Sequence, residues 1–153
     1  MLKDGLTREE MREKALSVLF DTDVLVWYFR GLAQSAQLIS QTPLAQRFVS
    51  SVCIMELIQG CSNKTELRGV RDFIKENLQI IHFDQNISNR AISLLQVYSL
   101  SHGLRTIDAI IASTALVRKT LLVTGNYRHF DMIKNLEVMR FDVHRRVNGS
   151  TGR

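Results

Sequence analysis

The segment LFDTDVLVWYF, residues 19–29, joins one apolar run to a second through three polar residues. Residues 17–20 are typical of a short buried strand. Asp23 is placed to cap a helix over residues 24–30, and Gly31 is placed to end it. A buried strand that leads directly into a helix is the repeating unit of α/β proteins.

The rest of the chain continues the same alternation. Further strands are predicted at residues 47–50, 79–83, 121–124 and 136–141, and further helices at 32–40, 52–59, 66–77, 87–101 and 107–118. Ser51 and Thr106 are the predicted N-caps of the helices that follow them. Strands that alternate with helices predict an α/β fold with a parallel sheet of about five strands.

Length and composition indicate one soluble domain. The chain has 153 residues, of which 45% are apolar and 23% charged. No apolar stretch approaches the roughly 20 residues of a membrane span, and the N-terminus lacks a signal-type apolar segment, so we expect a cytoplasmic protein. We interpret residues 1–16 as an N-terminal extension with a possible helix at 6–15. Residues 17–146 form the domain, and 147–153 are a frayed tail.

Charge and cysteine content narrow the possible partners and cofactors. The net charge of +5 suits a polyanionic partner, although many soluble proteins are mildly basic without binding one. Cys53 and Cys61 have neither the spacing nor the histidines of a zinc site. We therefore predict two buried free thiols.

Four polar residues lie where apolar runs meet turns or helix starts: Asp21, Glu56, Asp108 and Asn126. A carboxylate among apolar neighbours is costly to bury, and ligands of parallel sheets gather at the carboxyl ends of strands. We expect these side chains to share one edge of the sheet. Because clustered carboxylates repel each other, such a site requires a cation. Oxygen ligands favour Mg²⁺ or Mn²⁺, which indicates metal-assisted phosphodiester chemistry.

Each of these residues also has an ordinary structural explanation. Asp21 can cap a turn, Glu56 can pair with a surface cation, and Asp108 can interact with a helix dipole. Asn126 after Gly125 is common turn chemistry. Thr124 is placed to donate a hydrogen bond to Asp21.

Four blocks together resemble the signature blocks of PIN domains: DTDVLVWYF, SVCIMELIQG, TIDAIIASTAL and LLVTGNYRHF. Within that group they are most similar to VapC-type toxins of toxin–antitoxin pairs. The resemblance implies an α/β/α sandwich and a metal-dependent ribonuclease. It places the family's acids on Asp21, Glu56 and Asp108, its supporting hydroxyl on Thr124, and its fourth acidic position on Asn126. The extension before Val18 departs from the family pattern.

The resemblance also implies partners and products. We expect an RNA substrate cut to 5′-phosphate and 3′-hydroxyl ends, a small antitoxin that blocks the site, and a homodimer. Candidates for substrate binding are Arg105, Tyr127 and Arg128, with Arg30, Arg118, Lys119 and His129 as further possibilities. Two alternatives share the same residues: a housekeeping PIN nuclease in RNA processing, and a non-catalytic nucleic-acid-binding module, which Asn126 would favour.

Overall fold

The structure is a computed structural model that describes residues 17–143. The predictions for residues 1–16 and for the tail at 147–153 lie outside this range. Five strands form one sheet: β1 (Val18–Phe20), β2 (Arg47–Ser50), β3 (Gln79–Ile81), β4 (Leu121–Thr124) and β5 (Val138–Arg140). Six helices accompany them: α1 (Thr22–Phe29), α2 (Ala33–Gln41), α3 (Ser51–Gln59), α4 (Lys64–Asn77), α5 (Gln85–His102) and α6 (Thr106–Arg118).

The sheet is parallel throughout and has the strand order β3-β2-β1-β4-β5. The predicted α/β/α sandwich is therefore confirmed, with five strands flanked by helices. The chain builds the sheet outward from β1 in one direction through β3 and then returns to add β4 and β5 on the other side. This reversal makes the gap between β1 and β4 a topological switch point, where ligands of open α/β sheets bind.

The central strands are apolar because helices cover both faces of the sheet. All three residues of β1 and all four of β4 are buried. The backbone N–H of Asp21 donates to the Val123 carbonyl at 3.0 Å, and so extends the pairing of β1 with β4 by one residue. The side chains just beyond these two strands are consequently held at one edge.

Several element ends differ from the predictions. β3 and β5 are shorter than predicted, and α4, α5 and α6 begin earlier. The predicted cap Ser51 is wrong: Ser50 caps α3, and its hydroxyl accepts from the Val52 N–H at 3.3 Å. Thr106 is wrong as a cap too, since the extended residue before α6 is Arg105. In both cases the predicted cap is instead the first residue of the helix, and it directly follows a residue with an extended backbone.

Two further expectations can be compared with residues 17–143. Cys53 and Cys61 are both free thiols, as predicted; Cys53 is buried, whereas Cys61 is half-buried. Within this range no helix combines the length and the apolar character that crossing a bilayer requires.

Candidate active site

Asp21 lies at the end of β1, between the sheet and α1. It is only 5% exposed. One carboxylate oxygen accepts from the Thr22 N–H at 2.7 Å, and the other accepts from the Thr124 hydroxyl at 2.8 Å. The predicted bond from Thr124 is confirmed. Thr124 Oγ1 in turn accepts from the Asn126 N–H at 3.0 Å, so one buried hydroxyl connects the ends of β1 and β4.

Asp23 has a different place from the one predicted. The N-cap of α1 is Asp21, and Asp23 lies in the first helical turn. Its carboxylate nevertheless binds backbone amides, as expected: one oxygen accepts from the Val24 N–H and the other from the Gly125 N–H, both at 2.8 Å. The second bond ties the start of α1 to the turn after β4. Asp23 thus holds the two segments that frame Asp21.

Glu56 reaches the same edge from α3. The hydroxyl of Thr22 donates to a Glu56 carboxylate oxygen at 2.6 Å. This role of Thr22 was not predicted, although its position between two aspartates was a visible signal. Because Thr22 follows Asp21 directly, a rigid two-residue segment sets the placement of both acids.

Asp108 lies in the first turn of α6, and its side chain is 22% exposed. The Nδ1 atom of His129 is 3.2 Å from an Asp108 carboxylate oxygen. His129 itself is 57% exposed, at the end of the 3₁₀ turn Tyr127–His129. His129 was expected to contact RNA; its contact with Asp108 was not predicted, because no local pattern brings residue 129 next to residue 108.

These side chains line one cavity of about 350 Å³ at the carboxyl ends of β1 and β4. Its charged and amide- or hydroxyl-bearing lining residues are Asp21, Thr22, Asp23, Arg30, Glu56, Asp108 and Asn126. The structure therefore brings together the three predicted acids and the predicted asparagine. Thr124 supports Asp21 from behind the cavity.

The predicted substrate-binding residues are placed differently. Arg105, Tyr127 and Arg128 are not among the residues that line the cavity. Tyr127 instead contacts Arg140, whose guanidinium carbon lies 5.8 Å from the centroid of the Tyr127 ring. Arg105 immediately precedes α6 and its charge favours the ionised form of Asp108. Their contact with a substrate stays a prediction.

Three carboxyl groups of the cavity have raised pKa values. Burial, and then the charge of Asp23, raise the pKa of Asp21 to about 7, against the opposing hydrogen bonds from Thr124 and Thr22. Burial also raises the pKa of Asp23 and the pKa of Asp108; the nearby His129 lowers the latter. A carboxyl group whose pKa is raised to about 7, with other acids beside it, is typical of a functional site.

The donor set fits a divalent cation. Every acidic side chain in the cavity offers oxygen atoms, the ligands of Mg²⁺ and Mn²⁺, and a bound cation would favour the ionised carboxylates against the burial and the mutual repulsion that raise these pKa values. Within residues 17–143, no three His, Cys, Asp or Glu side chains are close enough to form a ligand set in the conformation seen. Asp108 contacts His129, so its side chain must turn from His129 to share an ion with Asp21.

The sequence matches the family model described as PIN domain over residues 18–135. The chain belongs to the PIN domain family. The resemblance noted from four sequence blocks is thereby confirmed, and the five-stranded fold agrees with it. The match begins at the first residue of β1 and ends before β5, so it includes every residue of the acidic cavity.

Individual PIN domain relatives are distant in sequence. The chain is 28% identical over 145 residues to "Ribonuclease VapC1" of Methanocaldococcus jannaschii, covering 92% of this chain and 95% of that protein. A toxin–antitoxin complex from Klebsiella pneumoniae contains a chain that is 29% identical, with a TM-score of 0.71. That match covers 83% of this chain and 100% of the other. VapBC2 from Rickettsia felis, solved with a promoter DNA fragment, contains a chain that is 22% identical. Its TM-score is 0.70, and the match covers 83% of this chain and 100% of that one. At this identity the similarity supports the fold and nothing more.

Proposed function

We propose that this protein is a metal-dependent endoribonuclease and the toxin of a toxin–antitoxin pair. The observation that carries the proposal is the cavity at the switch point of the sheet, which gathers Asp21, Glu56 and Asp108 from three separate elements. The names of the relatives support it: one is a ribonuclease and another is part of a toxin–antitoxin complex.

Asp21 and Asp108 are the proposed ligands of a Mg²⁺ or Mn²⁺ ion, with Glu56 beside them. When bound, such an ion lowers the pKa of a coordinated water and neutralises charge on the phosphate. Asp21 is fixed by Thr124 and by the first amide of α1, so its oxygens lose little conformational freedom on binding. Asp108 would have to leave His129, which is exposed and free to turn outward.

Glu56 is the proposed group that orients the attacking water. Its Thr22 hydrogen bond holds one oxygen and leaves the other available to accept from a water molecule. In the reaction, the water gives up a proton and its oxygen forms a bond to phosphorus, while the bond from phosphorus to the 3′ oxygen breaks and the 3′ oxygen takes up a proton from solvent. The products are a 5′-phosphate and a 3′-hydroxyl.

Asn126 occupies the lining position where the resemblance places a fourth acid. Its backbone is fixed by Thr124, and its amide side chain offers one oxygen acceptor without a negative charge. The Asp23 carboxylate also lines the cavity, but it already accepts hydrogen bonds from two backbone amides. We propose that Asn126 binds a water ligand or the substrate rather than the ion itself.

The proposed partners are RNA, a small antitoxin that blocks the site, and a second copy of the chain, all in the cytoplasm. A groove of about 530 Å³ opens beside the acidic cavity and is lined by apolar residues including Val26, Phe29, Leu57 and Val70. Arg30 and Glu56 line both spaces. An antitoxin segment lying in the groove would reach the catalytic acids.

The test is cleavage of an end-labelled RNA pool by purified protein with Mg²⁺, Mn²⁺ or EDTA. We expect cutting with either metal, none with EDTA, and new 5′-phosphate ends. The Asp21→Asn variant should lose at least ~100-fold in rate, the scale on which removal of one catalytic group acts. The matched control is Asp72→Asn, which changes an exposed acid on α4 and should cut normally. Equal cutting by both variants would refute the assignment of Asp21.

A further inference from the structure

Trp27, the only tryptophan of the chain, lies on α1 and lines the acidic cavity. Its ring is half-buried, and the guanidinium carbon of Arg30 lies over it at 5.4 Å from the ring centroid. Arg30 is exposed and lines the cavity as well. An aromatic ring and an exposed cation thus line the same cavity as Asp21.

Arg30 directly follows α1 and lies three residues after Trp27, and the chemistry of this pair matches that of an unpaired nucleotide. Bases outside a duplex bind proteins by stacking on aromatic rings and on guanidinium planes. Arg30 is also the one positively charged residue that lines the described cavity, where the acids would otherwise repel a phosphate. A nucleotide at this wall would find a stacking surface and a phosphate ligand together.

We propose that Trp27 and Arg30 bind the nucleotide next to the cleaved phosphodiester. The base stacks on the indole in place of the guanidinium, and the guanidinium turns to the adjacent phosphate. This inference rests on the proposed function and adds to it the two residues that hold the nucleotide beside the cut. A base inside a continuous helix stack cannot present its face to Trp27.

Because Trp27 is the sole tryptophan, its fluorescence reports on this wall directly. The Asp21→Asn variant, which keeps the ring and binds RNA without cutting it, is titrated with a short unpaired RNA and with a duplex of equal length. We expect a saturable change in emission with the unpaired RNA, weakened by salt because a phosphate is contacted. The duplex should give a much smaller change at the same concentrations.

Substitutions separate stacking from a structural role of the ring. Trp27→Leu should raise the KM for unpaired RNA by ~5- to 150-fold, the range found for loss of one base–aromatic stack, with kcat changed much less. Trp27→Phe should restore most of the affinity because a smaller ring still stacks. The matched control is Phe29→Leu, which changes a partly exposed aromatic residue of the same helix outside the acidic cavity.

The outcomes distinguish this inference from the proposed function. Emission that responds to unpaired RNA in a protein that never cuts would support the nucleotide site and refute the nuclease. Cutting by the wild type with no emission change, or with an unchanged KM in a folded Trp27→Leu variant, would overturn the role of Trp27. Equal responses to duplex and unpaired RNA would overturn the stacking of a base on Trp27.

Discussion

Replacing Asp21 with asparagine should stabilise the metal-free fold at neutral and alkaline pH while it abolishes activity. The carboxyl group ionises near 3.8 in the unfolded chain, whereas in the folded protein its pKa is raised to about 7. The folded state therefore keeps a proton that the unfolded state has lost. Stability from this group is complete below the unfolded pKa and is lost as the pH rises through the folded pKa.

The magnitude follows from the width of that window. One proton of difference between the two states changes the free energy of unfolding by about 1.4 kcal/mol per pH unit. From pH 5 to pH 8 the wild type should lose ~2 to 3 kcal/mol through Asp21, since the difference vanishes above the folded pKa. The variant does not titrate here. Its loss of the acceptor for Thr124, about 1 kcal/mol, is the same at each pH.

The assay is urea unfolding of the wild type and Asp21→Asn between pH 5 and pH 8 in EDTA. As the pH rises from 5 to 8, the free energy of unfolding of the variant should increase relative to that of the wild type by ~2 to 3 kcal/mol. Adding Mg²⁺ at pH 8 should then stabilise the wild type and leave the variant nearly unchanged, because a ligand stabilises only the state that binds it.

A stability difference that stays constant from pH 5 to pH 8 would refute the reasoning. It would mean that Asp21 is ionised in the folded protein at pH 5 as it is in the unfolded chain. Extending the unfolding series below pH 4 would then show whether hydrogen bonds to the ionised carboxylate outweigh its burial, because a lowered pKa of Asp21 changes stability only in that range.

Two further substitutions test the framework around the acids. Gly125→Ala should destabilise the fold by about 2 kcal/mol in urea unfolding, because the new Cβ would lie 2.5 Å from Asp23 Oδ2 and break its bond to the backbone. The control Gly69→Ala, which meets nothing within 4 Å on α4, should instead stabilise by about 1 kcal/mol, and equal effects would contradict this account. Thr22→Val should lower kcat ~10-fold by releasing Glu56, with Thr22→Ser near wild type; full activity in Thr22→Val would remove Thr22 from the mechanism.

The fold was largely predictable because its signals are local. Short apolar runs followed by polar turns predicted all five strands, and the bounds of β2 and β4 are as predicted. The helix starts were less accurate, since Ser50 and Ser51 are chemically equal candidates for the same cap. Only the backbone direction after β2 distinguishes them, and it depends on how far the strand remains paired in the sheet.

The acids were predictable for a related reason: a charge inside an apolar block is conspicuous wherever the fold places it. The contacts between side chains were less so. The bond of Thr22 to Glu56 joins residues 34 apart, and Asp108 meets His129 across the turn after β4. Trp27 looked like an ordinary apolar position of α1, and only the structure shows that its ring lines the acidic cavity. Such pairings depend on the relative orientation of elements, which no local pattern records.

The most direct test of a divalent-cation site at the ends of β1 and β4 is calorimetric titration of Mn²⁺ into the wild type and into Asp108→Asn. We expect saturable binding by the wild type and affinity at least ~10-fold weaker in the variant, the usual effect of altering a metal site's ligand shell. Identical binding curves for the two folded proteins would contradict the assignment of Asp108, and no binding by either would contradict the cation site itself.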